Sequence, residues 1–201
     1  MIKFLFGIIL FQEVVSAAVL FKPSIRWADF AFQPVDREDT INYYGYGGEL
    51  GVGYTWTDSF DTAIVLQYQP GKRETAGFLS PHATAQFAGP EFGFRFYKIM
   101  VLGLRVGIQK YQLNTKKFDS EIDGTWTGPA GGFSLGFVAS AEKDNFWQIA
   151  IDAMEGVLIN SADDSQGSRR LDSFGISATF VYNDQHGHGG RHDGLFDQLK
   201  F

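Results

Sequence analysis

A small set of ionisable residues sits at alternate positions in stretches that are otherwise apolar or glycine-rich: Lys22, Arg26, Glu49, Glu91, Arg95, Arg105 and Asp152. The two signs nearly balance, and Gln67, Gln109 and Gln148 add amide donors and acceptors. Inside a narrow enclosure such groups have two uses. They can pair and fill the space, since an isolated buried charge is costly. They can also line a path that selects small ions. The first use is expected here, because eight strands enclose little more than their own side chains.

Two other constellations suggest chemistry. A serine, a histidine and an acid within hydrogen-bond reach of one another would suit nucleophilic catalysis. Ser80 and His82 are the nearest approach to that set, with Pro81 between them. Glu91 belongs to the inward series and is poorly placed to complete a triad, so the pair reads as a loop serine and a loop histidine. No catalytic site is expected. In the stretch DQHGHGGRHDG, His186, His188 and His192 offer imidazoles of the kind that bind zinc, copper or nickel. The intervening glycines set ordering entropy against such a site. The stretch reads as a solvated tail, with no metal and no cofactor. The chain has no cysteine, which excludes thiolate sites and disulfides. A formal net charge of −6 gives no basic patch for nucleic acid.

The elements that position these residues are strands. Tyr44, Tyr46, Leu50, Val52, Tyr54 and Trp56 alternate with Gly45, Gly47, Glu49, Gly51, Gly53 and Thr55. A side-chain period of two assigns the two series to opposite faces. Similar alternation recurs in about eight segments. Leu102, Leu104, Val106 and Ile108 oppose Gly103, Arg105, Gly107 and Gln109, and Phe174, Ile176, Ala178, Phe180 and Tyr182 oppose a small-residue face. The fourth segment sets Phe92, Phe94 and Phe96 against Glu91, Gly93, Arg95 and Tyr97, which places Tyr97 inward. Links near Asp58-Ser59, Lys98-Ile99 and Glu142 to Asn145 are short, whereas 33–43, 70–84, 113–126 and 156–170 are long and polar.

Which face is outside is decided by composition. A soluble barrel would carry many Lys, Glu and Thr outside, yet the less apolar face here is mostly Gly, Ala, Ser and Gln. Aromatics gather near strand ends, at Tyr44, Tyr46, Tyr54, Trp56, Trp147 and Tyr182, as in the girdles at membrane interfaces. The apolar face is therefore expected to meet lipid. A soluble ligand-binding barrel, with every face inverted, is the alternative.

At the start, Lys3, the apolar run Phe4 to Phe11 and the small residues Ser16-Ala17-Ala18 have the order of a secretory signal, expected over 1–18. A barrel over 19–183 and a periplasmic tail over 184–201 complete the expected organisation. The signal, the alternation and the unequal links resemble the small bacterial outer-membrane β-barrels, the group of the OmpA transmembrane domain, OmpX and OmpW. The resemblance implies an all-β, eight-stranded antiparallel up-and-down transmembrane barrel in the outer membrane of a Gram-negative cell, handled by the barrel-insertion machinery; outer-membrane lipid and lipopolysaccharide are the other expected partners. A monomer with periplasmic termini and surface-exposed loops is expected, with a structural or surface-interaction role. A narrow channel is the second reading and a lipid-modifying enzyme the third. In that group an aromatic of the last strand closes the chain; here Phe180 and Tyr182 fit, but a tail ending in Phe201 follows.

Overall fold

The computed structural model describes residues 18–34, 41–72, 82–97, 99–114, 124–142, 145–160 and 168–184. They form eight antiparallel strands: β1 (Ala18–Pro34), β2 (Ile41–Thr57), β3 (Phe60–Lys72), β4 (His82–Phe96), β5 (Met100–Asn114), β6 (Gly124–Glu142), β7 (Asn145–Asn160) and β8 (Ser168–Asp184). Each strand pairs with its neighbours in sequence, and β1 pairs with β8, so the sheet closes. Following the register from Leu20 through Gly53, Ala63, Glu91, Arg105, Gly132, Met154 and Ser173 returns to β1 at Phe30, ten residues farther along. That stagger tilts the strands, as closure of a small barrel requires. Glycine makes some of the close strand contacts possible. A Cβ on Gly53 would run into the Thr62 carbonyl and Ala63 Cα of the neighbouring strand.

Over most of its height the wall keeps the expected faces. Ile25 (71% exposed), Ile64, Leu66, Val106, Ile108, Phe133, Ile149, Ile151 and Ile176 point outward, while Lys22, Ser24, Arg26, Gln67, Glu91, Arg105, Gln148 and Asp152 are buried inside. In β1 the outward apolar run extends from Val19 to Trp27. At about 3.3 Å per residue and a tilt near 40°, such a run covers roughly 20–25 Å along the barrel axis.

The strands are longer than the alternation suggested. The links shrink to 35–40, 73–81, 115–123 and 161–167, and the residues gained by the strands build a layer absent from the sequence reading. At this end Phe30, Phe32, Tyr43, Tyr111, Trp126, Leu158 and Leu171 pack inside the barrel as one apolar cluster. Phe32 stacks on Tyr111 at 4.1 Å between centroids, and Trp126 meets Phe32 edge-on at 4.9 Å. On the outer face of the same rows stand Asp29, Lys72, Thr84, Gln86, Lys110, Gln112, Thr127, Glu155, Arg170 and Asp172, interrupted by the exposed Tyr44, Val157 and Ile159. Arg170 bridges Glu155 at 3.2 Å and Asp172 at 2.9 Å across this exterior. The barrel thus has two sections. One is apolar outside and polar inside, and the section toward the long links reverses both.

A second apolar cluster lines the remaining interior and reaches the short-turn end through Leu20, Phe146 and Val181. Beside it, Thr55 donates to Asn183 Oδ1 at 2.7 Å, tying β2 to β8. Thr55→Val is expected to lower stability by about 1 kcal/mol, the net worth of one buried hydrogen bond, read from the urea midpoint of the folded band. Tyr97 departs from the sequence reading. It is not inward: it occupies the β4–β5 turn with φ of 50° and is 92% exposed.

Candidate functional site: the charged layer inside the barrel

The strand register brings the inward charges together. Glu91 and Arg105 are direct cross-strand partners on β4 and β5, and Arg105 Nε donates to Glu91 Oε2 at 2.6 Å. The other end of the guanidinium crosses to β2, where Nη1 and Nη2 each donate to one Glu49 carboxylate oxygen at 2.7 Å. This two-pronged geometry is the strong form of an arginine–carboxylate pair. Lys22 Nζ reaches the second Glu91 oxygen at 3.1 Å and Asp61 Oδ1 at 2.6 Å. Arg95 Nη2 lies 3.6 Å from Asp61 Oδ2, with its guanidinium carbon 4.9 Å from the Phe146 ring centroid. One connected chain, Arg95–Asp61–Lys22–Glu91–Arg105–Glu49, therefore links β1 through β5.

Its cations Arg95, Lys22 and Arg105 are matched by Asp61, Glu91 and Glu49, so the chain carries no net charge. A second pair is separate. Arg26 of β1 is bonded through Nε and Nη2 to Asp152 Oδ1 of β7, and Nη2 also donates to Ser173 Oγ of β8 at 3.2 Å. Together the two groups tie every strand but β6 across the lumen. All these side chains are nearly withdrawn from water; the most open, Arg95, is 12% exposed.

The structure brings together each inward charge selected from the sequence and adds Asp61, which was missed. Asp61 stands at the start of its strand, two residues after the Asp58-Ser59 turn and ahead of the alternation of Thr62, Ile64, Leu66 and Tyr68. The alternation does contain it: counting back by twos from Gln67, Val65 and Ala63 arrives at Asp61. Tyr44 and Tyr46 face outward toward the long-link end, and Tyr54, Trp56, Trp147 and Tyr182 face outward toward the other end. Trp56 Nε1 donates to Thr62 Oγ1 at 2.7 Å, and the Trp147 and Phe180 rings lie 5.1 Å apart. Ser80, the His82 side chain, and His186, His188 and His192 lie outside the described residues, as does the stretch 1–17.

No protein-family model matches the chain. No curated protein matches it. Solved structures do. Neisserial surface protein A, NspA, superposes with a TM-score of 0.53 at 12% identity, over 80% of this chain and 95% of that one. Ail, the attachment invasion locus protein of Yersinia pestis, gives 0.53 at 14% identity, over 81% of this chain and 98% of that one. The fold is that of a small outer-membrane barrel. In an outer-membrane-type barrel the exterior band is solvated by acyl chains, which explains why so many large apolar side chains are left facing out. It also matters inside, where the wall separates the charged layer from solvent laterally and its cations and carboxylates are met by one another.

Proposed function

We propose that the chain is an integral outer-membrane barrel with a structural or surface-interaction role, and that its lumen is plugged. The observation that carries this reading is the neutral ion chain spanning β1 to β5, with the stacked aromatic layer above it. Paired charges tie the strands to one another, and the packed Phe32, Tyr111 and Trp126 rings support closure toward the long links. The long links then face the outside of the cell, the termini lie on the periplasmic side, and the barrel works as a monomer. Tyr44 and Tyr46 form the outer part of an aromatic girdle, with Tyr54, Trp56, Trp147 and Tyr182 as its inner part. The section with reversed faces stands clear of the acyl chains. Lipopolysaccharide, outer-membrane lipid and the barrel-insertion machinery are its expected partners, and a rigid rim presenting loops suits contact with a further surface partner.

Planar-bilayer recording from the reconstituted chain, with heat-shifted gel mobility as the control for folding, tests this reading. A folded, heat-modifiable protein that gives no single-channel steps is expected. Resolved steps from that same preparation would replace the plug with the second reading, a narrow channel in which the ion chain is a selective constriction.

A further inference from the structure

Three short links join strands at the end opposite the long ones, and they differ in chemistry. The β2–β3 turn carries Asp58 and Ser59, and the β6–β7 link is Lys143-Asp144 between Glu142 and Asn145. The β4–β5 turn instead runs Phe96-Tyr97-Lys98-Ile99-Met100. Phe96, Tyr97, Ile99 and Met100 are all exposed, Tyr97 most of all. Four large apolar or aromatic side chains displayed on one turn are costly in water.

This turn is also held in place. Ile99 N donates to the Phe96 carbonyl at 3.2 Å, and Val138 N of β6 donates to the Ile99 carbonyl at 2.8 Å. On the other side, Arg95 N donates to the Ser59 carbonyl at 2.9 Å. Within that clasp Tyr97 is, among the described residues, the one non-glycine with positive φ. The left-handed region is sparsely populated by tyrosine, and such outliers persist where surrounding structure imposes them. Here the imposed conformation directs a phenol away from the barrel rather than into it.

We infer that the β4–β5 turn is an interfacial anchor, seating the Tyr97 ring and Ile99 among the phospholipid headgroups and upper acyl carbons of the periplasmic leaflet. The inference rests on the membrane reading above. What selects lipid over a protein partner is continuity. Phe96 and Met100 pair across the turn, and the outward series runs on without a polar break through Phe94 and Phe92 on β4 and through Leu102 and Leu104 on β5. The turn is the lower margin of the lipid-facing band. Tyrosine suits that depth, with an apolar ring and a hydroxyl that reaches water or phosphate. Its neighbour turn at Asp58-Ser59 has no such group and stays in water.

Absence of cysteine makes the test direct. Single variants Tyr97→Cys, Ile99→Cys, Ser59→Cys and Ile151→Cys would each carry bimane on the full chain in phosphatidylcholine vesicles, with and without brominated acyl chains. Each would first be shown to keep its heat-shifted mobility. Quenching by brominated lipid at 97 or 99 is expected to exceed that at 59 by about twofold or more, with 151 quenched most strongly, as depth in the bilayer dictates. Two readable turn positions keep the test alive if one variant does not fold. Labels at 97 and 99 that match Ser59 while 151 stays quenched would overturn the anchor and leave the membrane reading standing. An unquenched label at 151 would remove both.

Discussion

Replacing Arg105 with alanine is expected to cost about 3–5 kcal/mol of stability, the penalty for leaving a buried charge without its partner. Glu49 loses both hydrogen bonds it makes to the guanidinium, and Glu91 keeps only Lys22. The ion chain goes from neutral to one uncompensated negative charge. That charge has nowhere to go. Apolar clusters lie in the barrel on either side of the ion chain, and the wall outside is apolar. Arg105→Glu should be worse still, placing a third carboxylate beside Glu49 and Glu91 and preventing a heat-modifiable band from forming. The informative control is the double variant Arg105→Met, Glu49→Leu, which removes one charge of each sign. Neutral replacement of a buried pair is often harmless, so the double variant should regain most of what Arg105→Ala loses. Urea titration of the folded band in vesicles reads all three. If the double variant is no better than Arg105→Ala, packing by the guanidinium and not charge balance is what the site supplies.

The second large effect lies on the other face. Ile151 sits midway along β7, points outward and is exposed. In water, Ile151→Arg would be nearly silent or mildly favourable. In a bilayer an arginine at midplane depth costs about 2–4 kcal/mol, falling toward zero at the interfaces. The same substitution at Val157, outward on β7 but beyond Glu155 toward the long links, should therefore cost much less. A depth-dependent pair of values, measured by unfolding from vesicles, is expected. Equal and small penalties at both positions would mean that the apolar band does not meet lipid, and would favour the soluble alternative.

Strand alternation made the lipid-facing section legible, because one face there is uniformly apolar and the other is built of glycine and scattered charge. In β5, Leu102, Leu104, Val106 and Ile108 declare their face without any neighbour to help. Beyond Ile108 the same strand continues with Lys110 and Gln112 outside and Tyr111 and Leu113 inside. The apolar series has moved by one residue. In a sheet with one buried face, a one-residue move ordinarily signals a slip or the end of a strand, and so the pattern alone places Tyr43, Trp126 and Leu158 in polar links. What changes at that point is the medium outside the wall, and a sequence window that assumes one medium cannot register it. Tyr97 failed differently. Strict alternation carried it inward, but a positive φ ends the strand one residue earlier and turns the side chain around. Asp61 has the inward pattern but stands next to the Asp58-Ser59 turn, ahead of the apolar alternation that declares the face. The pairing of Arg105 with Glu49, across β3 and β4, was beyond reach, since it follows from the ten-residue stagger of the closed sheet.

That closure also sets the order of events in which the barrel can form. Seven of its strand pairs join neighbours in the chain, and each can zip as soon as its hairpin exists. The pair that remains joins β1 to β8, where Thr179 donates to the Ser24 hydroxyl across 155 residues. Closing a free loop of that length would cost roughly 4–5 kcal/mol of chain entropy, so the economical route adds hairpins in sequence and seals the seam last. Until then the sheet has two open edges, and unpaired edges recruit other strands. A chain that stops before Ser168 keeps one of them on β1 indefinitely, with the opposite one on β7, and is a template for intermolecular pairing at either side. The final strand is the one whose arrival ends that hazard, and a defect in β8 should accordingly show itself as oligomers joined edge to edge before it shows as a loosened monomer.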